Sequence, residues 1–279
     1  MESFGTGLIA QPFLKWAGGK RWLAERLAPA FAELTGTYRE PFVGSGAVFF
    51  RYTPGRAVLS DANEELIECY QRIKVDPQGV ERALAKLAKK SPDDSYYDVR
   101  SSRPSEPNER VARFLYLNRT CWNGLYRVNL KGEFNVPRGT KNQILLPNDD
   151  FGSVSAALGN AEIYVADFAD SIDDAKAGDL IFADPPYTVA HNTNGFIKYN
   201  QNIFSWDDQK RLAERLTSAA NRGVTVIATN ADHAEVRELY KQFPHAISLA
   251  RASVIAAASS NRRSTTELFV TNSDLGGIL

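Results

Sequence analysis

Residues 37–61 read TYREPFVGSGAVFFRYTPGRAVLSD, and their order decides the fold class. TYREPF (37–42) has the composition of a short strand. VGSGAVFF follows as a glycine turn opening a helix, and RAVLSD (56–61) is a second strand that ends in an acid. Strand, turn, helix and strand in this order begin an open α/β sheet, in which ligands bind beyond the carboxyl ends of the strands. Gly44 and Gly46 let the backbone come close to such a ligand. Asp61 lies 17 residues after Gly44, near the roughly 20-residue separation at which an acid bonds a ribose hydroxyl in nucleotide-binding sheets. The turn is not GxGxxG, so an adenosine-bearing cofactor other than a dinucleotide suits it better. A lone GxG is weak evidence, and two packing glycines with a helix-capping Asp61 would give the same letters.

The pattern continues outward on both sides. NEELIECYQRI (63–73) places Leu66, Ile67, Tyr70 and Ile73 on one helical face. AEIYVADF (161–168), DLIFAD (179–184) and VTVIATN (224–230) read as buried strands, and HAISLA (245–250) with TELFVT (266–271) as a closing antiparallel pair. SWDDQKRLAERLTSAANRG (205–223) begins Ser-x-x-Asp, carries Leu212 and Leu216, and stops at Gly223, the signals of a capped helix. Strands alternating with helices predict a mostly parallel sheet covered on both faces. The middle of the chain breaks the rhythm. It is helical to about Leu117, and YRVN and EFNV then flank Lys131-Gly132 as a β-hairpin. We therefore expect a catalytic part over 1–62 and 151–279, with 63–150 inserted as a substrate-recognition module.

LIFADPPY (180–187) ends a buried strand with a carboxylate, two prolines and an aromatic ring. Asp184 and Pro185 each precede a proline and are pushed into extended conformations. Pro185 and Pro186 have no N–H. The turn therefore presents acceptors with few competing donors, which suits a ligand group bringing two N–H bonds, such as an amine. Tyr187 adds a flat face for a planar ring. A strand-ending turn with a solvated Asp is the plain alternative.

Composition narrows the class. The 279 residues are 43% apolar and 24% charged, as in ordinary globular proteins. The sequence starts without a basic-then-apolar signal pattern, and VIAAA (254–258) is far too short to cross a bilayer. Cys69 and Cys121 suggest no disulfide framework, and His191, His233 and His245 lack metal-ligand spacing. These features predict a cytoplasmic protein without a membrane segment or a metal. Lys plus Arg and Asp plus Glu both total 33. Yet nine basic residues against three acids lie between Arg100 and Lys141, a surplus of six. Such segregation is the footprint expected of a phosphate-binding face, with a solvated helical face as the alternative.

FLKWAGGKRWL (13–23) gathers Trp16, Gly18, Gly19 and Lys20 but lacks the first glycine and the Ser/Thr of a P-loop. Standing alone, it would make Trp16 core and Lys20 surface. It does not stand alone: FLKWAGGK, EPFVGSGAVFF, LSDANEELI, NRTCWNGLYRVN, GEFNVPRG, ADF and FADPPY occur in this order over about residues 11–270. In that order the chain resembles the Dam-like DNA adenine-N6 methyltransferases, the D12 class. The resemblance implies a Rossmann-like α/β fold that binds S-adenosylmethionine, with an inserted helical, hairpin-bearing domain that recognises double-stranded DNA. It assigns Trp16, Lys20, Gly44 and Asp61 to the cofactor, Asp61 to its ribose, and Asp167 and Phe168 to the flanks of its adenine. Asp184, Pro185, Pro186 and Tyr187 form the implied active site, with Asp184 also near the cofactor's methionine end.

The resemblance places Arg119, Asn123 and Arg127 at the DNA, with Arg127 reading guanine O6 and N7 and Leu125 and Pro137 touching bases. Trp122 stands where relatives usually carry Tyr or Phe, as a larger wedge. TKNQ follows FNVPRG where a more aromatic or basic flank is expected. Arg251, Arg262 and Arg263 match the closing hairpin, the last two as phosphate contacts or a solvated loop. The expected activity is site-specific adenine-N6 methylation at GATC. The alternatives are a cytosine-N4 methyltransferase, which more often starts the motif with Ser, and a catalytically silent DNA-binding protein on the same fold. Whether a separately acting restriction enzyme accompanies the protein is left open by the sequence.

Overall fold

The computed structural model describes residues 10–129, 131–188, 204–251 and 265–275. Seven strands make one sheet: β1 (Tyr38–Glu40), β2 (Ala57–Asp61), β3 (Ala161–Val165), β4 (Leu180–Ala183), β5 (Thr225–Ala231), β6 (His245–Arg251) and β7 (Thr265–Thr271). Their order is β3-β2-β1-β4-β5-β7-β6. β1 pairs parallel with β2 and β4, and β4 parallel with β5. β7 runs antiparallel to both β5 and β6.

The mixed α/β sheet agrees with the sequence reading, and the closing antiparallel pair forms as expected. The sequence did not say which member of that pair lies inside. Leu268, Phe269 and Val270 of β7 are fully buried, whereas β6 is mostly part-exposed. The more continuously apolar strand takes the interior position and the alternating one the edge. AEIYVADF is corrected: β3 stops at Val165, and a helix starts at Phe168 because Asp167 accepts the Ala169 N–H at 2.9 Å as its cap.

The chain forms two compact units. The first comprises Met1–Glu25, Gly44–Gly55 and Asn63–Val165. Its helices Glu64–Val75, Pro77–Leu87 and Pro92–Ser101 begin at Asn63, Asp76 and Ser91, whose side chains accept early backbone N–H groups. Pro77, Pro92 and Pro107 occupy first helical turns, where the missing N–H costs nothing. Helix Pro107–Thr120 is buried all round from Val111 onward. The expected hairpin is present as two single antiparallel bridges, Val128↔Phe134 and Cys121↔Arg138. Gly132 takes φ +75° at its turn, and the Asn129 carboxamide oxygen accepts the Lys131 and Glu133 N–H groups.

The second unit comprises Arg26–Val43, Arg56–Ala62 and Ala166–Leu279. Helix Trp206–Asn221 opens with a reciprocal Ser205–Asp208 capping box. Its Leu212, Leu216 and Ala219 pack against Ile181, Val226 and Ala228 of the sheet. Truncating one such leucine to alanine costs about 2–5 kcal/mol. At the start of β4, the Asp179 carboxylate accepts the Thr37 and Lys176 N–H groups and the Arg39 Nε–H at 2.7, 3.1 and 3.0 Å. Burial alone would raise its pKa, but these donors outweigh burial and hold it below the ordinary carboxylate value.

Candidate active site

In the second unit the chain leaves β4 at Ala183 and enters the Asp184–Tyr187 turn. Three neighbours hold it. The Thr229 hydroxyl donates to Asp184 Oδ1 at 2.7 Å. Gln209 Nε2 donates to the Pro186 carbonyl at 3.3 Å, while the Gln209 Oε1 accepts from Asn230 Nδ2 at 2.8 Å. The Tyr187 hydroxyl donates to Glu267 Oε2 at 3.1 Å. Burial first, then the negative charges of Asp184 and Glu267, push the Tyr187 phenol well above its ordinary pKa, so it stays a donor. The arrangement can fix a carboxylate, a run of carbonyls and an aromatic ring before any ligand arrives.

Thr229, Gln209, Asn230 and Glu267 were not singled out from sequence. Their signal is a polar residue where an apolar stripe should continue: Gln209 on the buried helical face, Thr229 and Asn230 late in VTVIATN, Glu267 within TELFVT. All four are buried. Buried polar groups are hydrogen-bonded in folded proteins, so each must have a partner.

Two further corners belong to this unit. Asp61 ends β2, and the capping role open to it is taken by Asn63, whose side chain accepts from the Leu66 N–H. Asp167 is bound bidentately by Arg211 at 3.0 and 2.8 Å, and that guanidinium also sits 4.3 Å over the Phe168 ring. Phe168, the residue expected beside the cofactor's adenine, starts the helix that follows Asp167. The ring is only 5% exposed and stacks on Phe42 at 5.5 Å, because the apolar face of its helix turns into the core. Asp167 and Arg211 are the groups this corner turns toward solvent.

The first unit carries the glycine segments. Lys20 is 3% exposed and its ammonium donates to the Gly18 carbonyl at 2.7 Å, so Lys20 is no surface lysine. Gly44 and Gly46 have φ +45° and +62°. A Cβ on Gly44 would lie 2.7 Å from Trp16 Cδ1, and one on Gly46 2.9 Å from the Tyr70 hydroxyl. The Tyr70 hydroxyl donates to the Gly44 carbonyl at 3.0 Å. Trp16 in turn stacks on Tyr126 at 5.7 Å and 25°. The two glycines are thus required by close packing, Gly44 against the Trp16 indole and Gly46 against Tyr70 and Phe50.

The model of the family described as D12 class N6 adenine-specific DNA methyltransferase matches residues 16–254. The chain belongs to that family. It is 38% identical over 273 residues to Type II methyltransferase M1.LlaDCHI of Lactococcus lactis subsp. cremoris, covering 94% of this chain and 95% of that one. It is 35% identical over 256 residues to Type II methyltransferase M.MjaIII of Methanocaldococcus jannaschii, covering 84% and 89%. To the DNA adenine methylase of Escherichia coli (strain K12) it is 33% identical over 264 residues, covering 92% and 93%. The seven-stranded α/β sheet is the one expected of a Rossmann-like methyltransferase.

The residues expected at DNA divide sharply in this methyltransferase. Trp122 is 51% exposed, Asn123, Arg127 and Pro137 are exposed, and Leu125 is half-buried. Asn123 takes φ +55° in the turn Trp122–Gly124, a conformation asparagine tolerates better than most residues. Arg127 Nε donates to Asn135 Oδ1 at 2.7 Å across the hairpin. Arg119 is a correction. It is 1% exposed, and its guanidinium grips Asp149 at 2.6 and 2.8 Å and the Ile144 carbonyl at 2.6 Å. It ties residues 144–149 to the buried helix and does not lie on a DNA surface.

The basic cluster is reread in the same way. Arg110, Arg113 and Arg138 pair with Glu68, Glu65 and Asp93, acids that lie outside the 100–141 window. Buried Asn118 exchanges hydrogen bonds with the Lys15 N–H and carbonyl at 3.0 and 2.7 Å. Much of NRTCWNGL therefore builds the unit from within. Arg262, Arg263 and the side chain of Arg251 lie outside the described residues. Among the described residues no three His, Cys, Asp or Glu side chains converge as metal ligands, and no helix is long and apolar enough to cross a membrane.

Proposed function

We propose that this methyltransferase transfers a methyl group from S-adenosylmethionine to N6 of an adenine flipped out of double-stranded DNA, at GATC sites. The observation that carries this reading is the Asp184-Pro185-Pro186-Tyr187 turn beyond β4, with Asp184 already oriented by Thr229. The residues fit a nucleoside-bearing cofactor. Gly44 turns at φ +45° against the Trp16 indole, Lys20 is held buried on the Gly18 carbonyl, and Asp61 ends its strand while Asn63 serves as the cap. Trp16, Lys20, Gly44, Asp61 and Asp167 are the residues we assign to hold it. When it is bound, the N6 lone pair forms the new C–N bond as the methyl–sulfur pair returns to sulfur, and one N6 proton leaves.

This chain's residues make that nitrogen able to react. The adenine amine is a poor nucleophile because its lone pair is conjugated into the ring. With Asp184 and the Pro185 carbonyl each accepting one N–H, the nitrogen pyramidalises and its lone pair is released from the ring. Asp184 also stabilises the positive charge that develops on nitrogen and holds the departing proton until water takes it. This is positioning plus electrostatic stabilisation, with no covalent enzyme intermediate. Flipping the base costs about a few kcal/mol, part of which stacking on Tyr187 offsets. Trp122, Asn123, Leu125, Arg127 and Pro137, all within 63–150, are assigned to DNA recognition, and we assign the enzyme to the cytoplasm, at the nucleoid when bound to DNA.

The test is direct. The protein is incubated with DNA and radiolabelled S-adenosylmethionine, and the modified base and its sequence context are then identified. N6-methyladenine at GATC is expected. N4-methylcytosine would replace the reaction, no transfer would leave a silent DNA-binding protein, and adenine methylated in another context would overturn the site alone.

A further inference from the structure

The two faces of β5 do different work at its carboxyl end. Val226 and Ala228 belong to the cluster under helix Trp206–Asn221. Alternation turns Thr229 to the opposite face. The β4–β5 register pairs Ala183 with Ala228, which brings Thr229 beside Asp184, the first residue past the strand. Thr229 is 1% exposed; its hydroxyl donates to Asp184 Oδ1 at 2.7 Å and also lies within hydrogen-bond reach of the Tyr187 phenol, so it touches both ends of the motif. A strand threonine can satisfy its hydroxyl on nearby backbone; this one reaches across to the motif carboxylate.

We infer that Thr229 is a positioning residue for methyl transfer, acting through the orientation of the Asp184 carboxylate; this rests on the role proposed for Asp184. The physical need is specific. Rotation about the bond carrying a carboxylate is broad and roughly two-fold, so no rotamer sets the plane of Asp184. Direction matters for an acceptor that must meet an amine N–H and hold it while the nitrogen changes geometry. One short hydrogen bond from a rigid strand fixes that plane in advance. β-Branching makes threonine stiff at χ1, so the hydroxyl itself is well placed. Valine has nearly the same shape and a strand preference at least as good. A Thr229 that serves only folding would lose stability on change to valine and keep its kcat, whereas a positioning Thr229 would lose kcat.

The experiment compares wild type with Thr229→Val and Thr229→Ser. It measures kcat and KM on a GATC duplex, cofactor Kd by calorimetry, DNA Kd by fluorescence anisotropy, and thermal melting. Thr229→Val should lower kcat by roughly 10- to 100-fold, the scale of a small misplacement of a reacting group, with both Kd values within about twofold of wild type. Thr229→Ser, which keeps the hydroxyl, should recover most of the rate. Melting within a few degrees of wild type is expected for both. Two results would overturn the inference: a folded Thr229→Val enzyme with wild-type kcat, or a folded Thr229→Ser enzyme as slow as the valine variant. A wild-type protein that transfers no methyl group to adenine would instead refute the proposed function, so the two failures are distinct.

Discussion

Asp184 can be changed by a single atom. Asparagine keeps its size but replaces one acceptor oxygen with a donor, so only one oxygen is left to accept from the Thr229 hydroxyl and the incoming amine. Asp184→Ala should abolish transfer, and Asp184→Asn should lower kcat by at least about 10²-fold, the loss typical of one removed transition-state contact. Both should keep wild-type melting, and near-normal turnover in either would sink the mechanism. This residue was legible because proline dictates local backbone, and the DPPY turn announces its own conformation. Arg119 was not. Its neighbours Arg113 and Asn118 are also buried, so helix Pro107–Thr120 has no polar face by which an arginine's side could be read. An internal carboxylate 30 residues away decides that Arg119 points inward. Phe168 is a related case: ADF gives its place in the sequence, while only packing against Phe42 shows where the ring lies.

At the scale of elements, β7 is a support for the Asp184–Tyr187 turn as well as a sheet strand. Its Glu267 receives the Tyr187 hydroxyl from 80 residues away in sequence. We expect Tyr187→Phe and Glu267→Ala to show coupling in a double-mutant cycle on urea unfolding, of about 1–3 kcal/mol for a hydrogen bond to a charged group. Strictly additive losses would mean that the pair contributes nothing jointly. The junction of β1 and β4 makes a second prediction. Asp179 has its folded-state pKa depressed by the Thr37, Lys176 and Arg39 donors. Its stabilisation is then fully present above the ordinary carboxylate value, about 3.9, and is lost as pH falls through the lower folded value. Asp179→Asn should lower stability at neutral pH and flatten the acid end of the stability–pH curve. An unchanged acid limb would show that other carboxylates set it. Strand and helix positions were readable here from alternation and caps. The interior place of β7 was not, since either member of an antiparallel pair could lie next to β5, and only the pairing of β7 with both β5 and β6 decides it.

For the whole molecule, charge must be counted after folding. The chain is neutral overall, and the surplus between Arg100 and Lys141 suggested a broad phosphate-binding face. Arg103, Arg110, Arg113, Arg119 and Arg138 instead pair with carboxylates. Among the described residues this leaves Arg100, Arg127, Lys131 and Lys141 as the cations of that window without an ion-pair partner. Counterion release gives a slope of about −0.9 in log K against log salt per phosphate neutralised. DNA affinity should therefore fall with a slope near −4 if these four carry the contacts, not the value near −8 that all nine would give. The steeper slope would mean that the internal pairs open on the duplex. Arg127 divides this count further. If its guanidinium leaves Asn135 to meet guanine O6 and N7, the pairing is worth about 1–3 kcal/mol of discrimination. Arg127→Ala should then lower kcat/KM on the cognate duplex far more than on duplexes altered at that guanine, with the salt slope almost unchanged. A phosphate contact behaves differently: its loss weakens all sequences alike and reduces the slope by about one. Measured on cognate and single-substituted duplexes at two salt concentrations, a uniform loss with a shallower slope would assign Arg127 to the backbone and leave sequence reading to another residue of WNGLYRVN.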